Sequence, residues 1–139
     1  SEAVQAVIAD SGFAELSTIL RTYLQNRGMP RRLAAVLTTL IIWTAGRFLG
    51  CHLPASDPLR WVSRLAPRPL LIIHGGQDSD IPISEAYRLY QEANEPKEVW
   101  IVAEAEHRCA DQICADEYMT RVLDFFDKWL SIKPKEKPT

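Results

Sequence analysis

Short apolar runs and amphipathic periodicities alternate along this chain, and their order predicts parallel strands joined by helices. Residues 5–9 (Gln-Ala-Val-Ile-Ala) form one apolar run, stopped by Asp10-Ser11-Gly12. Residues 69–73 (Pro-Leu-Leu-Ile-Ile) form a second, stopped by His74-Gly75-Gly76, and residues 98–103 (Glu-Val-Trp-Ile-Val-Ala) a third. Continuous rather than alternating hydrophobicity, rich in β-branched residues and ended by turn signals, describes strands covered on both faces, as in a parallel sheet. Ser84 is placed to cap a helix running to Asn94, with Ala86, Leu89 and Tyr90 on one side. Met119, Val122, Leu123, Phe126 and Leu130 recur at the three-and-four spacing of an amphipathic helix over 115–131. Strand, helix, strand, helix after residue 68 is therefore a βαβ crossover followed by a terminal helix.

Residues 13–64 carry a different pattern. Their periodicity predicts helices over Ala14–Gln25, Leu33–Phe48 and Pro58–Leu65, punctuated by Gly28-Met29-Pro30 and by the stretch from Gly50 to Pro58. An all-helical insert of this length exceeds what a crossover needs, and it is expected to act as a cap or lid. Four segments result. Residues 1–13 hold the first core strand and its exit loop, 14–66 the cap-like insert and return helix, and 67–131 the βαβ-plus-helix core. Residues 132–139, charged and broken by Pro134 and Pro138, are expected to be a disordered tail.

Composition narrows the function classes. The 139 residues carry a net charge of −2, with 47% apolar and 24% charged residues, the balance of an ordinary globular domain. That slight acidic excess argues against a nucleic-acid partner, which calls for a basic face. The charge-free stretch from Leu33 to Gly46 is too short for a membrane span. Three cysteines, Cys51, Cys109 and Cys114, make no disulfide framework, and the opening Ser1-Glu2-Ala3-Val4 has no signal-peptide pattern. A cytoplasmic location is the expectation. A chain opening without Met is expected to have been cut, trimmed or started internally.

The chemistry concentrates in Leu70-Leu71-Ile72-Ile73-His74-Gly75-Gly76-Gln77-Asp78-Ser79-Asp80-Ile81-Pro82 and, after one helix and one strand, Ala103-Glu104-Ala105-Glu106-His107. Consecutive parallel strands end at the same sheet edge, so Asp78 and His107 are expected on neighbouring loops there, where open α/β sheets gather their ligands. A carboxylate accepting from one imidazole nitrogen fixes the tautomer and stabilises the imidazolium formed when the other nitrogen takes a proton. Asp80 stays a second candidate for the acid, and Asp78 could instead only bind loop amides. Cys51-His52, His107, Cys109 and Cys114 have the residue types of a zinc site but not its spacing, so no metal and no cofactor are expected. Cys109 is a weak alternative nucleophile. His74 is expected to be a packed, hydrogen-bonded residue.

On these motifs the chain resembles the C-terminal half of the α/β-hydrolase superfamily, the serine-aminopeptidase-like and monoacylglycerol-lipase-like esterase group. The strand-H-G-x-x-D-x-x-I-P segment looks like its acid loop, and the later His107 like its base. Val7-Ile8-Ala9-Asp10-Ser11-Gly12-Phe13 looks like the strand that follows the nucleophile elbow. The resemblance spans nearly all of residues 5–131. It implies a triad in the chain order Ser, Asp, His, with Asp78 and His107 catalytic and Ser11, Trp43 and Ile81 near a small-molecule acyl substrate. No serine here lies in G-x-S-x-G. The expectation is thus a C-terminal fragment of a serine hydrolase, inactive alone, with a complementary N-terminal half as partner. The alternative is a non-catalytic module that self-associates as a homodimer through its exposed sheet edge.

Overall fold

A computed structural model describes residues 4–130. Three strands, β1 (Val7–Asp10), β2 (Leu70–Gly75) and β3 (Lys97–Val102), form one parallel sheet in the order β1-β2-β3. The register pairs Asp10 with Ile73, and Gly75 with Val102, so all three strands end towards one edge. The helices are α1 (Leu16–Asn26), α2 (Arg31–Leu49), α3 (Ile83–Glu92), α4 (Ala110–Ile113) and α5 (Ala115–Trp129). The proposed tail, 132–139, lies outside the described residues.

β2 is buried along its whole length, which is why its sequence is continuously apolar. Successive side chains point to opposite faces. Leu70 and Ile72 pack with Ala14, Val62, Ala86, Leu89 and Ala93 on one side. Leu71 and Ile73 pack with Val102, Ala105, Ala110 and Phe125 on the other. The central strand thus holds two apolar layers, and the crossover helix α3 and the terminal helix α5 lie on opposite faces.

Several local expectations need correction. Pro58–Leu65 is not an α-helix; Leu53–Ser56, Pro58–Arg60 and Val62–Leu65 are three separate 3₁₀ turns. Pro54 and Pro58 begin the first two, each lacking the N–H that a continuous helix needs at that point. Ser84 does not cap α3. The cap position is Pro82, whose ψ of 139° turns the chain into the helix with no side-chain cap bond. The short helix α4 was not foreseen.

The uncharged stretch 33–46 lies inside a longer helix. α2 has 19 residues, and an 18-residue window of it has a mean hydropathy of 1.3, enough by length and composition to cross a bilayer. Its helical turns continue through Arg31, Arg32 and Arg47, where a count of uncharged residues stops. Only 17% of that window is buried within the chain. Leu33, Val36, Leu40, Trp43, Phe48 and Leu49 stand exposed along it.

The start of α1 is held from a distance. Its cap residue Glu15 makes no side-chain cap bond. Instead Glu85 Oε2, fully buried on α3, accepts from the amides of Ala14 (3.1 Å) and Glu15 (3.0 Å). Asp57 Oδ1 accepts from the Leu16 amide at 3.0 Å. Two acidic side chains thus satisfy amide donors at a positive helix end. Arg88 completes the group by donating to Glu85 Oε1 and Glu15 Oε2, and these hydrogen bonds, that to Glu15 first, raise its pKa.

Candidate active site

The acid loop leaves β2 through Gly75 and Gly76 because nothing larger fits. A Cβ on Gly75 would run into the carbonyls of Ala105 and Glu106; one on Gly76 would meet the Ala103 carbonyl oxygen at 2.6 Å. Backbone therefore passes against backbone, and the acid and histidine loops are stitched together. Gly76 N–H donates to the Val102 carbonyl (2.8 Å) and Gln77 N–H to the Ala105 carbonyl (3.0 Å).

Beyond this seam Asp78 is buried and divides its two oxygens. Oδ1 accepts from the amides of Asp80 (2.9 Å) and Ile81 (2.8 Å), closing the loop on itself. Oδ2 lies 2.8 Å from His107 Nδ1. Asp78 thus binds loop amides through one oxygen and the imidazole through the other. A carboxylate can only accept, so Nδ1 carries the hydrogen and Nε2 keeps its lone pair. The His107 side chain remains 30% exposed. Its Nε2 has no hydrogen-bond partner among the described residues. That is the geometry of a general base held in one tautomer. Asp80 is exposed, and its carboxylate does not reach His107.

His74, at zero exposure, supports the acid loop from beneath. Its Nε2 lies 2.9 Å from the Ile81 carbonyl and 3.6 Å from Asp78 Oδ2. Since a carbonyl only accepts, Nε2 carries the hydrogen, and Nδ1 is buried without a partner among the described residues.

The remaining candidates separate. Ser11 is buried just past β1, with φ of 51°, and Arg108, directly after His107, has φ of 56°. Both are left-handed conformations uncommon for residues other than glycine. The Arg108 N–H donates to Ser11 Oγ (3.2 Å), and the Ser11 hydroxyl donates to Asp10 Oδ1 (3.0 Å). Tyr118 on α5 donates to Asp10 Oδ2 at 2.9 Å. Burial, reinforced by this bond, pushes the Tyr118 pKa up to about 12. Ser11 thus touches the histidine loop, and Ile81 is tied to Asp78. Trp43 belongs elsewhere: it lines a cavity between α1 and α2 that no residue of the acid or histidine loop borders. Asn26, at the far end of α1, donates to the Ser79 carbonyl (2.9 Å) and joins α1 to the acid loop.

Sequence reasoning missed Tyr118 and the bond from Arg108 to Ser11. Tyr118 follows Ala115-Asp116-Glu117 at the start of a helix, where nothing in spacing signals a partner over 100 positions earlier. Cys109 Sγ donates to the His107 carbonyl at 3.4 Å. No group of three or more metal-ligating side chains occurs among the described residues.

Comparison with known proteins identifies the fold. Over most of its length the chain has an α/β-hydrolase-like fold. The Pyrococcus furiosus esterase Pf2001 superposes with a TM-score of 0.63 at 19% identity, over 91% of this chain and 46% of that one. The α/β hydrolase GrgF from a Penicillium species gives 0.65 at 17%, over 95% and 58%. Pyrococcus horikoshii acylaminoacyl peptidase gives 0.61 at 17%, over 99% and 22%. In sequence, the Escherichia coli K12 uncharacterized protein YfhR is 30% identical over 125 residues, 89% of this chain and 37% of YfhR. The chain therefore spans little more than a third of that relative's length. No family model matches the chain.

Proposed function

We propose that this chain supplies the acid and base of a serine-hydrolase triad whose nucleophile lies outside these 139 residues. The observation that carries the proposal is the bond from His107 Nδ1–H to Asp78 Oδ2, which leaves Nε2 bare and reachable. A serine hydroxyl brought to Nε2 would give up its proton there as it attacked an ester or amide carbonyl. The imidazolium, stabilised by Asp78, would then protonate the leaving group, and water would release the acyl group by the same route. Ester or amide substrates fit the names of the structural neighbours, an esterase and an acylaminoacyl peptidase. Ser11, bonded to the histidine loop, and Ile81, within the acid loop, would border that substrate.

The test is expression of the chain with its upstream coding sequence, followed by labelling with a fluorophosphonate. The label is expected on a serine in a G-x-S-x-G motif about 20–30 residues before Ser1, at the family's strand-to-helix turn. Asp78→Asn should lower kcat by about 10³–10⁴-fold by allowing the wrong imidazole tautomer. Labelling at Cys109 or at any serine of this chain would overturn the assignment.

A second reading is supported by a different observation. β1 pairs with β2 on one side and with no strand on the other among the described residues, while α2 exposes a row of large apolar side chains. A free edge and an apolar face together favour self-association without chemistry.

A further inference from the structure

α1, α2 and the turn Leu53–Ser56 enclose an open cavity of about 650 Å³, within the size range of small-molecule sites. Its apolar wall includes Ile42, Trp43 and Leu53. Its charged lining is of one sign: Arg21 and Arg47 reach it beside His52, and no Asp or Glu borders it. Neither arginine makes an ion pair among the described residues. Two guanidiniums and a histidine beside an apolar wall, with no carboxylate in the lining, suit an anion that carries an apolar body. Thr38, buried in the lining, has a hydroxyl without a partner among the described residues.

The cavity is separate from the acid–base pair. It borders Ser17 and Arg21 in the first turns of α1, whereas the acid loop is joined to the last residue of that helix, Asn26. We propose that this cavity binds an aliphatic monocarboxylate, its head group held by Arg21 and Arg47 and its chain laid along Ile42 and Trp43. A guanidinium matches a carboxylate bidentately, and one negative head on an apolar body matches two cations set above an apolar wall. The proposal does not rest on hydrolytic activity, and binding can be read on the 139-residue chain.

Isothermal titration calorimetry with decanoate, decanol and decyl phosphate, all below their micellar concentrations, tests it. Decanoate is expected to bind one-to-one and at least tenfold more tightly than decanol. The double variant Arg21→Gln/Arg47→Gln, checked for folding by circular dichroism, should fall to the affinity for decanol. Trp43→Ala should weaken decanoate and decanol alike. Equal affinity of the unaltered chain for decanoate and decanol, or an unchanged affinity in the double variant, overturns the proposal. Decyl phosphate binding tenfold more tightly than decanoate overturns the carboxylate assignment.

Discussion

Asp78 shows how one side chain serves both its loop and its partner. Oδ1 is saturated by two amides that follow it in sequence, and Oδ2 meets an imidazole 29 positions later. The loop bonds hold the carboxylate in place, so its second oxygen faces the imidazole with little freedom to turn away. Asp10, at the end of β1, likewise divides its oxygens, accepting from Ser11 through Oδ1 and from Tyr118 through Oδ2. Burial of Tyr118, together with that second bond, has a titration signature. With the Tyr118 pKa at about 12 rather than 10.0, the folded chain holds this proton more tightly than the unfolded chain does. The resulting stability is complete below pH 10 and is lost as the pH rises towards 12. Absorbance at 295 nm should show one of the four tyrosines ionising last, and Tyr118→Phe should remove that step. An alkaline titration unchanged by the substitution would contradict the bond.

Between elements, buried carboxylates do work that ordinary caps would do locally. α1 begins without a capping side chain of its own, and Glu85 and Asp57 reach across from other segments to its amides. This makes the cap's attachment depend on α3, the crossover helix of the core. Glu85→Ala would orphan two amides and deprive Arg88 of one of its two carboxylates. It should cost about 2 kcal/mol, within the range for leaving buried donors unsatisfied, read as a lowered urea midpoint. A loss below about 0.5 kcal/mol, typical of neutral surface changes, would mean that the α1 attachment is held elsewhere. Sequence patterns located both helices because amphipathic spacing is local. They could not show that Glu85 faces inward, since a Glu in a helix's first turn ordinarily faces water. The same limit explains Ser84: its residue type suits a cap, but the conformation of Pro82 had already started the helix.

For the molecule as a whole, the sheet is covered on both faces but has no strand beyond β1 among the described residues, and α2 lies over little of the core. Phe48 is 91% exposed at its end. Light scattering of the isolated chain should therefore give a mass above that of one copy, and Phe48→Lys should lower it while leaving the unfolding midpoint nearly unchanged. A monodisperse single copy would count against self-association and would leave the complementary-half proposal standing alone.

What the sequence determined by itself was the set of strands, the long helices and the pairing of Asp78 with His107 at one sheet edge. Continuous apolar runs, helical spacing and the shared direction of parallel strands are all recorded within short windows or follow from topology. Only the tertiary structure decided the division of labour on the Asp78 carboxylate, the anchoring of Arg108 by Ser11, the reach of Tyr118 to Asp10 and the placement of Trp43 in a separate cationic cavity. Each of these depends on side chains distant in sequence meeting at hydrogen-bond or van der Waals range. Such meetings are set by how helices pack on the sheet, and local pattern does not encode that packing.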